Sequence, residues 1–190
     1  LKPSPASSSS DLLACQLLDA LAEHGVTGDL VRAVDLDIRP GVEKDMGDGD
    51  QWSTLRQRVL DADILVFVTP TWMGQHSSVA QRVLERLDAE LSETDEQGRP
   101  ILFDKVAIAG VLGNEDGAHH ISAILFQALN DIGYTIPAQT SVYWNGEAMQ
   151  TVDYKDLDET PEAVSSAITT ATRNAAHLAR QLRRGASRTV

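Results

Sequence analysis

Apolar and polar positions follow two rhythms along the chain. Leu13, Leu17, Leu18 and Leu21 recur at the spacing of one helix face, which predicts a helix over residues 11–24, ended by Gly25. The same rhythm predicts helices over 51–61 (Leu55, Val59, Leu60, with Asp50 as a cap) and 78–91 (Val79, Val83, Leu84, Leu87). Two more follow, over 119–132 (Ile121, Ile124, Leu125, Leu129) and from Pro161 to about Leu182. Between the helices lie strand-like runs at 30–36, 63–69, 105–112 and 134–143. The second and third of these runs are almost uniformly apolar, as strands buried on both faces are.

Alternating helices and strands predict an α/β fold, a parallel sheet covered by helices on both faces. Four strands serve five helices, and residues 1–10 read as a loop that should leave a strand. The expectation is therefore a first strand immediately preceding Leu1. The alternative is a four-stranded sheet with a terminal helix. Residues 1–182 are expected to form a single domain and 183–190 a frayed basic tail.

Charge narrows the partners. Sixteen Lys and Arg stand against 28 Asp and Glu, a net charge of −12. Such a surface repels nucleic acid and anionic lipid, so neither is an expected partner. It leaves room for a local anion site built from helix N–H groups. The one cysteine, Cys15, excludes a disulfide framework or a multi-cysteine metal site within the chain. No apolar run reaches the roughly 20 residues of a membrane helix, and residues 1–10 have no signal-peptide core. A cytoplasmic protein is the expectation. The acidic runs at 43–50 and 153–162 read as solvated loops.

Ligands of open α/β sheets bind outside the carboxyl ends of the strands. Three loops there have unusual composition. The first, 1–10, sets Ser4, Ser7, Ser9 and Ser10, with Lys2, ahead of a helix N-terminus, the donor set a phosphate needs. A flexible Ser/Pro leader is its plain alternative. The second carries Pro70, Thr71, Trp72, Met73 and Gly74 after the most apolar strand; Trp72 offers a flat face and Gly74 a close backbone approach. Packing of Trp72 and Met73 on a neighbouring helix is the competing reading. The third, 113–120, brackets polar residues with Gly113 and Gly117; an ordinary turn and cap would look the same. His119 and His120 diverge on a helix, so a shared metal is not expected.

These three loops, in this order and strand context, resemble the flavodoxin-like NAD(P)H-dependent FMN reductases over roughly residues 1–182. The resemblance implies a three-layer, doubly wound parallel sheet of order 2-1-3-4-5, with the strand preceding Leu1 at its centre. It implies FMN as cofactor and NAD(P)H as co-substrate. Lys2, Ser4, Ser7, Ser9 and Ser10 would hold the phosphate. Pro70, Thr71, Trp72, Met73 and Gly74 would border the ring from one side, and Gly113, Asn114, Gly117 and His119 from the other. No side chain need be catalytic, because the flavin carries the chemistry. The acceptor would be a quinone or a flavin, and the assembly a homodimer or higher homo-oligomer. Tyr143 and Trp144 are candidates to line a subunit interface. One departure stands out: Ser9-Ser10-Asp11 replaces the family's usual Asn-Thr helix start, setting a carboxylate beside the phosphate site.

Three other classes compete. The net charge also suits a one-electron carrier of the flavodoxin type docking on basic partners. A binding protein that has lost the cofactor is kept open by Asp11. A hydrolase finds no Gly-x-Ser-x-Gly elbow and no Walker loop in the chain.

Overall fold

A computed structural model describes residues 2–148 and 150–186. Its elements run α1 (Ser9–Glu23), α2 (Trp52–Asp61), β1 (Ile64–Trp72), β2 (Gln75–His76), α3 (Ser78–Leu87), β3 (Val106–Gly113), α4 (Ala118–Asp131), β4 (Ser141–Asn145) and α5 (Glu162–Ala186). Short 3-10 turns lie at Ala33–Asp35, Asp88–Ser92 and Tyr154–Asp156.

The sheet order is β2-β1-β3-β4. β1, β3 and β4 are parallel neighbours, with Ile64 opposite Val106 and Ala109 opposite Ser141. β2 is a two-residue antiparallel return on the tip of β1. Alternation along β3 shows how the layers form. Val106, Ile108 and Leu112 join a core with Leu13, Leu17 and Leu21 of α1 and Val164 and Ile168 of α5. Ala107, Ala109 and Val111 face the opposite core, with Trp52, Val83, Leu87, Ile121 and Leu125. A strand with helices on both faces cannot be half polar, which accounts for its unbroken apolar run. Full burial of each branched side chain contributes about 1.5–3 kcal/mol.

The sheet departs from the expected order 2-1-3-4-5 at one end. Residues 30–36 form no strand; the chain there is irregular apart from the Ala33–Asp35 turn. A strand needs a neighbour to satisfy its N–H and C=O groups, and among the described residues no strand pairs with this segment. For the same reason β1 is not buried on both faces as expected: Ile64, Leu65, Val66 and Val68 are only half-buried. The last strand starts at Ser141, because Pro137 and the turn closed by Thr140 onto the Pro137 carbonyl precede it.

Helix ends differ in smaller ways. α3 is capped by Ser77, whose hydroxyl accepts the Ala80 N–H at 3.1 Å. α5 runs past Leu182 to Ala186, so 183–186 are helical; 187–190 of the expected tail lie outside the described residues. Asp50 does more than cap α2. Its carboxylate, 1% exposed, accepts N–H groups of Arg39, Met46 and Trp52 and pairs with buried Arg86 at 2.7 Å. The acidic run at 43–50 is thus not wholly a solvated loop: the carboxylate of its last residue is buried. Burial would raise the Asp50 carboxyl, but the Met46 N–H, Arg86 and the other donors bring it down to about 2.

Candidate functional site

Around the first turn of α1 the loop 2–8 meets the segment 30–36. The helix begins with Ser8 as its N-cap, in extended backbone and without a side-chain cap bond. The N–H groups of the first turn therefore have no partner of their own within the helix. Ser8, Ser9 and Ser10 are half-buried beside them. Lys2, Ser7, Ser9 and Ser10 line one cleft of about 1040 Å³ together with Pro70 and Trp72 from the carboxyl end of β1. Lys155 joins the same cleft, and its backbone N–H donates to the Ser9 hydroxyl at 3.3 Å.

Ser4 is placed apart. It lines a neighbouring cavity of about 430 Å³ with Asp11, Arg32 and Asp35. Its hydroxyl and its N–H donate to the Asp35 carboxylate at 2.5 and 2.8 Å, holding that carboxyl below its ordinary range. Asp11 does not stand unpaired beside the helix start. Arg32 Nε donates to it at 2.9 Å, while Arg32 Nη2 binds the Ala6 carbonyl at 2.7 Å. One guanidinium thus offsets the carboxylate and pins the serine loop. Arg32 was hidden in the sequence because it falls in a strand-like run.

The second and third loops close on each other. Met73 and Gly74, with φ +52° and +72°, turn the chain from β1 into β2. Both N–H groups of this turn donate to Glu115, at 2.8 and 3.2 Å. Glu115 is a second residue the sequence reading missed, since the ring-side candidates of the third loop were Gly113, Asn114, Gly117 and His119. A Cβ on Gly117 would lie 2.9 Å from the Gly74 Cα and carbonyl oxygen, and one on Gly113 would lie 2.7 Å from Thr71 Cβ. Both positions admit only glycine without a shift. Thr71 is buried, and its Oγ1 has no hydrogen-bond partner among the described residues.

Side chains at the rim take separate partners. Trp72 is 54% exposed and Met73 92%, so neither is buried against a neighbouring helix. Asn114 donates to the Gln150 carbonyl at 3.0 Å. His119 Nε2 lies 3.0 Å from the Tyr143 hydroxyl in an edge-on ring contact, whereas His120 Nε2 lies 3.1 Å from Gln75. The two histidines diverge, and among the described residues no three His, Cys, Asp or Glu side chains form a metal group. Trp144 packs on Tyr154 with ring centres 5.6 Å apart. The cleft therefore unites Lys2, Ser7, Ser9, Ser10, Pro70 and Trp72. Thr71, Met73, Gly74, Gly113, Asn114, Gly117 and His119 lie on the adjoining loop pair, which the Gly146 N–H ties to the Gly113 carbonyl at 2.7 Å. Cys15 is exposed on α1; local desolvation, then Asp11 and Asp19, push its thiol up, the opposite of a reactive thiolate.

Among the described residues no helix is long and apolar enough to cross a membrane. The chain is 31% identical over 157 residues to the 8-demethyl-8-aminoriboflavin-5'-phosphate synthase of Streptomyces davaonensis, covering 78% of this chain and 61% of that protein. It is 42% identical over 160 residues to the divalent metal cation transporter MntH of Mycobacterium bovis, covering 82% of this chain but only 23% of that protein. It thus spans less than two thirds of either curated relative. Its fold matches crystalline RosB with bound 8-demethyl-8-formylriboflavin-5'-phosphate at a TM-score of 0.87 and 29% identity, over 97% of this chain and 77% of that one. A flavone reductase matches at 0.69 and 15% identity, over 95% and 62% of the two chains, a likeness of fold alone. The model of the NADPH-dependent FMN reductases matches residues 3–148. The chain belongs to that family, whose cofactor is FMN.

Proposed function

We propose that this chain is a flavin-dependent oxidoreductase that takes electrons from NAD(P)H and passes them to a quinone or a free flavin. One observation carries the reading: the uncapped, serine-rich start of α1 shares a cleft with Pro70 and Trp72 at the carboxyl end of β1. A phosphate asks for hydroxyls and free N–H groups, and an aromatic ring system asks for a flat apolar face. The residues present fit both halves of FMN.

Ser7, Ser9 and Ser10 with the first-turn N–H groups would hold the phosphate, and Lys2 and Lys155 would add positive charge. Arg32 keeps Asp11 from opposing them. Ser4, engaged by Asp35, would have to leave that carboxylate to take part. Trp72 would border the ring, on a turn that Glu115 holds rigid. The unpartnered Thr71 hydroxyl and the close-packed Gly113 and Gly117 give the adjoining loop the polar atom and the close backbone of a ring-side wall. When bound, FMN supplies hydride and electron transfer. The chain's own part is to bind, to orient and to keep the loops closed.

A second reading makes the flavin phosphate the substrate. It is favoured by similarity, at about 30% identity, to a synthase named for a riboflavin 5'-phosphate derivative and to the RosB structure, which holds another such derivative. Purified protein incubated with FMN and NADPH separates the cases. Oxidation of NADPH with FMN recovered unchanged in mass supports the reductase. A changed flavin mass supports the second reading. FMN binding without NADPH or NADH oxidation leaves an electron carrier, and absence of FMN binding overturns all three.

A further inference from the structure

The connection from β4 to α5 is tied to α1, and it carries one cation to the serine-rich helix start. Tyr154, in the 3-10 turn Tyr154–Asp156, is 2% exposed and belongs to the core of Leu13 and Leu17 of α1 and Val164 and Ile168 of α5. Its hydroxyl donates to Gln16 Oε1 at 2.8 Å, and Gln16 Nε2 donates to the Thr160 hydroxyl at 2.7 Å. Tyr154 and Thr160 are thus both fastened to one side chain of α1. Between them, the Lys155 N–H donates to the Ser9 hydroxyl at 3.3 Å. The acidic run 153–162, expected as a solvated loop, is in part a strap fixed on α1.

The strap brings Lys155 to the cleft already paired. Its ammonium bonds the Asp156 carboxylate at 2.5 Å and lies 3.6 Å from that of Asp153. Lys155 and Asp153 line the cleft with Ser7, Ser9 and Ser10, and Asp156 stands outside its wall. The Lys155 side chain is 17% exposed, against 48% and 54% for the two carboxylates. Carboxylates so well hydrated hold an ammonium weakly. A phosphate oxygen offers a charge-assisted bond of the same kind, on the far side of the same ammonium. The backbone of the strap is fixed by Tyr154 and Ser9, so a change of partner needs only a new rotamer of the flexible four-carbon stem. Lys2, by contrast, is exposed on the loop ahead of the helix.

Resting on the flavin reading, we propose that Lys155 distinguishes a phosphorylated flavin from an unphosphorylated one, by leaving Asp156 for a phosphate monoester held at Ser9. Asp156 is its competitor and sets how strongly the ammonium favours the phosphate. Riboflavin ends in a hydroxyl and offers no anion, so with riboflavin the ammonium stays on Asp156. The strap is in this sense a specificity element, separate from the hydroxyls and helix N–H groups that any phosphate at this helix start would meet.

Fluorescence titrations of the full chain with FMN and with riboflavin test the exchange. Lys155→Met keeps the apolar stem and removes the charge; Lys155→Gln takes its place if that variant does not fold. The Kd for FMN is expected to rise about tenfold, the size of one charge-assisted hydrogen bond, with riboflavin unchanged. Asp156→Asn is expected to tighten FMN about two- to fivefold, the size of one exposed ion pair, again with riboflavin unchanged. The double variant decides how that gain arises. An exchange through Lys155 predicts no gain from Asp156→Asn in the Lys155→Met background, whereas a carboxylate that repels the phosphate directly predicts the same gain in both backgrounds. Unaltered FMN affinity in Lys155→Met, equal weakening of both flavins, or a gain from Asp156→Asn that persists without Lys155 overturns the proposal and leaves the flavin reading standing. A wild-type chain that binds neither flavin overturns the flavin reading, and the proposal with it.

Discussion

Substitution of Gly117 by alanine tests the closure of the two ring-side loops. The added Cβ would sit 2.9 Å from the Cα and carbonyl oxygen of Gly74 and 3.0 Å from its carbonyl carbon. All three atoms are backbone, so no side chain can swing aside. The loops must part, at the roughly 1–3 kcal/mol of an overpacked contact. The φ of +144° adds about 1 kcal/mol, since an L side chain rarely adopts it. The expected loss is about 2–4 kcal/mol, or near 8 °C in Tm for a domain of this size. Gly98→Ala is the control: its φ is +76° but nothing lies within 4 Å of the new Cβ. It should cost only about 1 kcal/mol. Thermal unfolding followed by circular dichroism gives both values, and an FMN titration of each variant gives the functional counterpart. Parting the loops also breaks the bonds from Met73 and Gly74 to Glu115, so Gly117→Ala should bind FMN at least tenfold more weakly while Gly98→Ala is unchanged. A Gly117→Ala variant no less stable than Gly98→Ala would refute the steric argument.

Further expectations concern single interactions. Glu115→Gln replaces one acceptor oxygen by a donor facing an N–H group, and should lower stability by about 1–2 kcal/mol in urea unfolding and weaken FMN binding. Trp72→Ala should weaken FMN about three- to tenfold with little change in Tm, because the indole is largely exposed, whereas Trp144→Ala should lower Tm through its lost contact with Tyr154; equal FMN affinity in the two variants would remove Trp72 from the ring side. Arg32→Ala leaves Asp11 uncompensated and should weaken FMN more than riboflavin, which lacks the phosphate; Asp11→Ala in the same chain should recover part of the loss. Asp50 has a folded-state pKa of about 2 against an ordinary 3.8, so its contribution is complete above about pH 4 and disappears as pH falls towards 2. The urea midpoint should drop across that window, and Asp50→Asn, less stable at neutral pH, should flatten it.

The helices and the two central strands were legible because burial enforces their periodicity. Leu13, Leu17 and Leu21 are all buried as their spacing predicts, and the unbroken run 106–112 sits between two helix layers. Residues 30–36 were misread for a reason that lies outside the segment. β-Propensity states that a run suits a pleated surface, but hydrogen bonds to a neighbour decide whether it becomes a strand. Ser4 shows a related limit: a serine run marks donors near a helix start, yet it does not say which hydroxyl a remote carboxylate such as Asp35 will take.

The polar residues that hold the site together were the least legible, and the physics explains why. Arg32 to Asp11 spans 21 positions and Glu115 to Met73 spans 42, separations that no local pattern records. In an acidic protein these two contacts matter beyond their number. Asp11 beside a phosphate and Glu115 beside a flavin ring would each repel a reduced or anionic ligand if left uncompensated. Arg32 offsets the first charge, and two convergent backbone N–H groups satisfy the second. Net charge therefore says little about this cleft. Under the proposed reading, anion binding here would depend on whether Asp11 and Glu115 already have their partners, and in both cases the partner comes from another loop. Loss of either partner should harm ligand binding more at low ionic strength than at high, where screening over about 10 Å weakens the exposed charge.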